Sequence, residues 1–358
     1  MGVNNEDLAN KNVHRRGWID YARGFVIIYV VYRHAMIGLI SSGIHLKNAI
    51  YLVQEASMPV FFIVSGIFIG TSTAKRGLSE FVKFKFNSLL YPYFIWGFIH
   101  LSIQILFNQY SNSHKDSSYY LYLLIAPRAI DQFWYLYALF MVMIIFSSLN
   151  LTFLKFKWLP NILVAISFFV ASFFVSSLWF SITDVLLYYL FLVFGFLLSE
   201  IILPVTSKFF NGKWLWYAIP FFIIIQLFWW THYSDIMYLN QIDFLGYLLF
   251  IPITTVGALI LFLISYQLDK WGSIPFLKYI GSQSLYIYIM HLIFTAASRV
   301  VLIKVLPELP PLAMLLIIII IGVFMPIVIY RLCIRLKLHF LFEAPNFKRL
   351  NLFGSKPQ

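Results

Sequence analysis

A chain of 358 residues that is 61% hydrophobic and 20% aromatic, with only 11% charged residues, has too little polar side chain to cover a water-soluble surface. Its net charge of +12 falls in alternate loops between long apolar runs, which is a topology signal and excludes a nucleic-acid patch. The expected fold is an all-α polytopic membrane helix bundle.

A bilayer-spanning helix needs roughly 20 mostly apolar residues. About ten windows meet that need: 18–40, 49–71, 88–107, 133–151, 159–180, 185–204, 214–231, 243–265, 279–298 and 311–332. With the N-terminus inside, nineteen Lys and Arg residues fall on the cytoplasmic side, among them Lys75, Arg76, Lys83 and Lys85. Five fall opposite: Lys47, Lys115, Arg128, Arg299 and Lys304. That asymmetry predicts both termini in the cytoplasm. The expected organisation is a cytoplasmic segment 1–17, a membrane domain 18–336 and a basic cytoplasmic tail 337–358. The longest interruption, 108–132, reads "SSYYLYLLIAP" in part and is expected at the membrane interface. The one cysteine, Cys333, leaves no internal disulfide and no cysteine metal cluster.

The first window, "RGWIDYARGFVIIYVVYRHAMIGL" (16–39), has basic residues ahead of an apolar run, as a secretory signal does. It is too long and too charged for one and lacks a small-residue cleavage site, so a retained helix is expected. Within it stand Asp20, Arg23, Arg33 and His34. Ionised groups inside a bilayer are costly and face a protein interior or an aqueous cavity. Arg23 and His34 lie within about 20° of each other around a helix and roughly 16 Å apart along it. Asp20, one turn before Arg23, can hold the guanidinium. Arg23 sits near the cytoplasmic end, where a fixed guanidinium suits a phosphate. His34 lies in the outer half, where an imidazole can act as a base. Arg33 is about 100° round from His34, and snorkelling to the outer interface is its alternative role.

The second window brings Glu55 near His34 in depth, where a carboxylate can orient an imidazole. After it, "TAKRGLSEFVKFKFNSLLYPYF" (73–94) is expected as an inner loop, with Lys83 and Lys85 available to a multiply phosphorylated cofactor. At the head of the fourth window, "PRAIDQFWYLYALF" (127–140) offers Asp131 and Trp134, an acid and an aromatic that suit a sugar or an interfacial belt. The ninth window, "GSQSLYIYIMHLIFTAASR" (281–299), places His291 at the depth of His34, with Tyr288 and Ser284 beneath it. Two histidines on different helices suggest a metal pair. No further His, Cys or acid stands at ligand spacing, so no metal is expected and these three residues are read as substrate-binding or supporting. Soluble-enzyme signatures such as G-x-S-x-G, the phosphate-binding loop and H-E-x-x-H are missing. The residues alone leave two functions open: catalysis at His34, or transport of a lipid-linked sugar or small anion along a charged relay.

"WIDYARGFVIIYVVYRHA" (18–35) resembles the opening helix of the integral-membrane acyltransferase-3 family, whose signature is a basic residue, ten intervening residues and a histidine, here Arg23 and His34. "MPVFFIVSGIF" (58–68), "KFKFNSLLYPYF" (83–94), "FWYLYALF" (133–140) and "GSQSLYIYIMHLIF" (281–294) are similar to its later motifs, in order. Sugar-acetylating relatives often have a histidine where this chain has Ser57, and a small residue where it has Arg33. The resemblance implies a bacterial inner-membrane O-acetyltransferase. Acetyl-CoA is then the acyl donor, held by Arg23, Asp20, Lys83 and Lys85. The acceptor is a hydroxyl of a surface or lipid-linked glycan, such as lipopolysaccharide O-antigen or capsule. His34, oriented by Glu55, takes the hydroxyl proton, by direct transfer or through an acyl-histidine. Arg33, Asp131, Trp134, Ser284, Tyr288 and His291 remain for the acceptor side.

Overall fold

The computed structural model describes residues 17–44, 54–108, 114–153, 156, 158–202, 210, 212–233 and 242–345. Among them there is no strand, and each expected window meets a helix. Eight stretches are long and apolar enough to cross a membrane, one of them the 50-residue run Ser57–Leu106 that takes in two windows. Leu159–Phe174 is apolar but shorter. The protein is a polytopic all-α membrane bundle. The face that the loop cations assign to the cytoplasm is called inner below.

The first helix, α1 (Gly17–Ser41), is the centre of the bundle. It packs against α2 (Gln54–Lys85), α9 (Phe244–Trp271), α10 (Pro275–Ser282), α11 (Ser284–Val305) and α12 (Pro311–Arg335). Ile19, Ala22, Val26, Ile27 and Val31 are buried in those contacts. A charged helix is therefore tolerated because protein, not lipid, surrounds it. In a bilayer, close packing and interhelical hydrogen bonds hold helices together, since lipid tails are as apolar as leucine. Gly281 shows the first: a Cβ there would collide with the Asp20 carbonyl, so only glycine lets α10 lie this close to α1. The second is seen at both ends of α1. Tyr21 Oη donates to the Ser273 carbonyl at 2.6 Å, and Arg299 Nη1 donates to the Gly38 carbonyl at 2.8 Å.

The expected loop 73–94 is instead helical. Helix α2 continues to Lys85 and leads through a π-helical turn, Phe86–Leu90, into α3 (Tyr91–Leu106). Its one break is Gly77, at φ 71°, ψ 171°, a left-handed conformation that glycine adopts without a steric penalty. The residues either side are good helix formers, and Pro92 falls in the first turn of α3, where its missing N–H costs nothing. The connection 108–132 is not merely interfacial. It forms α4 (Tyr119–Ile125) and the turns Pro127–Ala129 and Asp131–Phe133, which tuck Ile130, Gln132 and Phe133 into the interior.

Helices α5 (Trp134–Thr152), α6 (Leu159–Phe174) and α7 (Ile182–Leu197) complete the wall beside α2. Helix α8 (Leu215–Tyr233) lies outside α9 and shows Trp216, 82% exposed, as a lipid-facing helix should. Residues 337–345, expected in the tail, dock on α3: Trp96 Nε1 donates to the Leu341 carbonyl at 2.8 Å. The rest of the tail, and segment 1–16, fall outside the described residues.

Candidate active site

The outer half of the bundle encloses a cavity of about 870 Å³. Its walls come from α1, the start of α2, α3, the 126–134 turns and α11, and it reaches the surface beside Phe107 and Lys304. His34 and Arg33 both line it. His291 does not; it is fully buried behind His34, with the two imidazole centroids 5.2 Å apart. The carbonyl of Tyr288, 2.8 Å from His291 Nδ1, accepts its N–H, which fixes the orientation of the ring. Tyr288 lines the cavity and donates its hydroxyl to the Gln132 carbonyl. Ser284, seven residues before His291 and so about 10 Å nearer the inner face, is not part of the lining.

Glu55 belongs to α2, but its side chain falls outside the described residues. The carboxylate that the structure pairs with a cavity imidazole is Asp131. His100 Nε2 lies 3.3 Å from Asp131 Oδ2, Gln104 Nε2 donates to the same oxygen at 2.8 Å, and Lys115 Nζ approaches it at 3.2 Å. Asp131 itself sits at φ 40°, a conformation unusual for any residue but glycine and easiest for Asp and Asn. Three donors converge to hold it there. Lys115 and Arg299, which charge counting placed in outer loops, are buried, each 4% exposed. Trp134 lines the cavity with the Arg128 guanidinium 4.3 Å over its ring, and Arg128 is itself paired with Asp184 at 3.1 Å. Outside the membrane, Asp116 next to Lys115 accepts from Ser118, whose hydroxyl and N–H pull its pKa down.

At the inner end of α1, Asp20 lies 3.7 Å from Arg23, as the spacing predicts. Arg76 and Lys85 are close enough to join Arg23 in one electrostatic cluster, with the Arg76 guanidinium 4.2 Å over Phe84. Lys83 is apart from them, exposed and bonded to Glu80 at 2.9 Å. Residues two apart on a helix face different ways, so Lys83 and Lys85 do not form one grip. Between the inner cluster and His34 lies a layer of buried aromatic rings. Tyr135 sits 5.2 Å from Tyr288 and 5.3 Å from Phe62, and Phe62 stacks on Tyr188 at 4.6 Å. Among the described residues no group of three or more His, Cys, Asp or Glu converges as a metal site would need.

Sequence reading passed over His100, Gln104, Gln132 and Arg76 as site residues. For the first two a signal existed: His100 and Gln104 stand four apart in "FIHLSIQIL" (98–106), one polar edge on an otherwise apolar helix. Gln132 carried none, because the turn that buries it is a tertiary feature.

A histidine on a cavity wall and a cation cluster thus stand at opposite ends of one central membrane helix. A profile of the acyltransferase-3 family, described as an acyltransferase domain, matches residues 16–331, and the chain belongs to that family. It is a membrane acyltransferase. No curated protein and no solved structure matches the chain significantly.

Proposed function

We propose that this acyltransferase moves an acetyl group from cytosolic acetyl-CoA to a hydroxyl of a bacterial surface glycan or its lipid-linked precursor, O-antigen or capsule among the candidates, in the inner membrane. The observation that carries this reading is the division of α1. Arg23, with Arg76 and Lys85 nearby, offers a fork of donors for the phosphates of coenzyme A. Roughly 16 Å further along the same helix, His34 waits in a cavity large enough for a sugar. Coenzyme A is a phosphate head on a long thin arm ending in the thioester, so it fits that separation. His34 takes the proton of the acceptor hydroxyl as the oxygen attacks the thioester carbon. The C–S bond then breaks, and the leaving thiolate receives the proton from His34.

The test is a deletion strain restored with wild type, His34→Ala or Arg23→Ala, in which ester-linked acetate on the purified surface glycan is measured. Wild type alone restores acetate under this reading, with all three proteins equally abundant in the membrane. Unchanged acetate accompanied by reduced glycan export would transfer the charged helix to a transport path.

A further inference from the structure

Four cations line the outer cavity, Arg33, Arg128, Arg299 and Lys304, against one carboxylate among the described residues, Asp131. Lys115 meets that carboxylate from behind the wall at 3.2 Å, and Arg128 has its own counter-ion in Asp184 at 3.1 Å. Each of these two acids is therefore matched by a cation. Arg299 is buried and donates to the Gly38 carbonyl, while Lys304 is exposed at the mouth. Arg33 is half-buried next to His34, and among the described residues no carboxylate lies within ion-pair distance of it. It is close enough to the Tyr188 hydroxyl to act on it electrostatically, as Arg128 is. Instead of snorkelling to the lipid headgroups, this guanidinium lines a cavity in the outer half of the bundle, where an ionised group is costly unless it has a task.

We propose that the acceptor is anionic: Arg33 holds a carboxylate or phosphate borne by the sugar that is acetylated, or by the sugar directly joined to it. This rests on the proposed transfer to a glycan hydroxyl. Once His34 has taken the hydroxyl proton, two positive charges stand on successive residues whose Cα atoms are about 3.8 Å apart. An anion beside them offsets that repulsion at the moment of transfer, and a neutral sugar does not. The planar fork of a guanidinium matches a carboxylate or a phosphate in two hydrogen bonds. Because Arg33 and His34 are neighbours on α1 and both line the cavity, the anion lies within about one sugar ring of the reacting hydroxyl. Arg299 and Lys304, nearer the mouth, add a positive field that draws such an acceptor inward.

The experiment restores the deletion strain with full-length wild type, Arg33→Gln or Arg33→Lys at equal membrane abundance, purifies the surface glycan, and locates its acetate by nuclear magnetic resonance. In the wild type the acetate should sit on an acidic sugar or on its immediate neighbour, and the identity of that acid separates a carboxylate from a phosphate. Arg33→Gln should cut the acetate to about a tenth or less, the loss expected for a hydrogen-bonded charge. Arg33→Lys, which keeps the charge without the fork, should retain about a third of it. Both purified variants should bind acetyl-CoA as the wild type does. Acetate confined to a neutral sugar with neutral neighbours would overturn the proposal, as would full acetylation by Arg33→Gln. Loss of acetyl-CoA binding in both variants would also overturn it, by making Arg33 a structural residue. If deletion removes no acetate from the glycan, the proposed function itself fails.

Discussion

Replacing Asp131 by Asn removes one charge while keeping the side-chain shape and the tolerance for a left-handed backbone. Its partner Lys115 has a side chain only 3% exposed, with Nζ 3.2 Å from the carboxylate. At that separation and an effective dielectric near 20, the Coulomb attraction is about 5 kcal/mol. Part of it is offset in the native protein by desolvation, and breaking a buried pair from one side typically costs about 3–5 kcal/mol. Because the Asp131 side chain is 28% exposed, solvent reclaims some of the loss. We expect about 2–3 kcal/mol of destabilisation. Lys115→Met in the same background should recover about 2 kcal/mol, since the ammonium left without its counter-charge is the main penalty. Reversible unfolding in dodecyl maltoside with increasing dodecyl sulfate, followed by tryptophan fluorescence, measures both. An Asn variant within about 0.5 kcal/mol of wild type, or a double variant no better than the single, would refute the reasoning.

With the proposed acetyl-CoA donor, Arg76→Gln should raise the KM about tenfold with kcat little changed, and the gap should narrow in high salt, as expected of a guanidinium that acts on ground-state phosphate binding. An unaltered KM at low salt would remove Arg76 from the donor site. Gly281→Val should displace α10 from α1 and lower both stability and the yield of folded protein by an overpacking cost of about 1–3 kcal/mol or more, whereas an unshifted melting curve would show that the close approach is not needed. Asp243 caps α9, and the Gly246 N–H at 2.8 Å, with the Tyr233 hydroxyl, lowers its pKa below the ordinary 3.8. The folded protein therefore favours the charged form. That contribution is present above the ordinary carboxylate value and is lost as pH falls through the lowered one. The stability difference between wild type and Asp243→Asn should accordingly disappear in strong acid; a constant difference across pH would show that charge has no part in the cap.

The helices were legible because apolar runs of spanning length have few other outcomes. The Arg23–His34 spacing survived for a similar reason, being a property of one helix and its fixed rise. What escaped was set by contacts between distant segments. The loop cations Lys115 and Arg299 read as surface charges because counting sees sequence position and not burial, yet one meets Asp131 and the other the Gly38 carbonyl. Lys83 and Lys85 looked like a pair in an inner loop; once that loop is helical, the two diverge. Asp131, read as a group for sugar, does line the cavity, but the three neighbours that meet its Oδ2 come from other segments and could not be seen in the sequence.

The aromatic layer of Tyr135, Phe62 and Tyr288 also has an electrical meaning. Moving one elementary charge through a membrane potential of 100 mV is worth about 2.3 kcal/mol, and an open passage from the inner cations to the outer cavity would short-circuit that potential with every turnover. Phe62, Tyr135 and Tyr288 are all buried, and rings packed this closely leave little room for hydrated ions between them. The transfer proposed above would then proceed without dissipating the membrane potential.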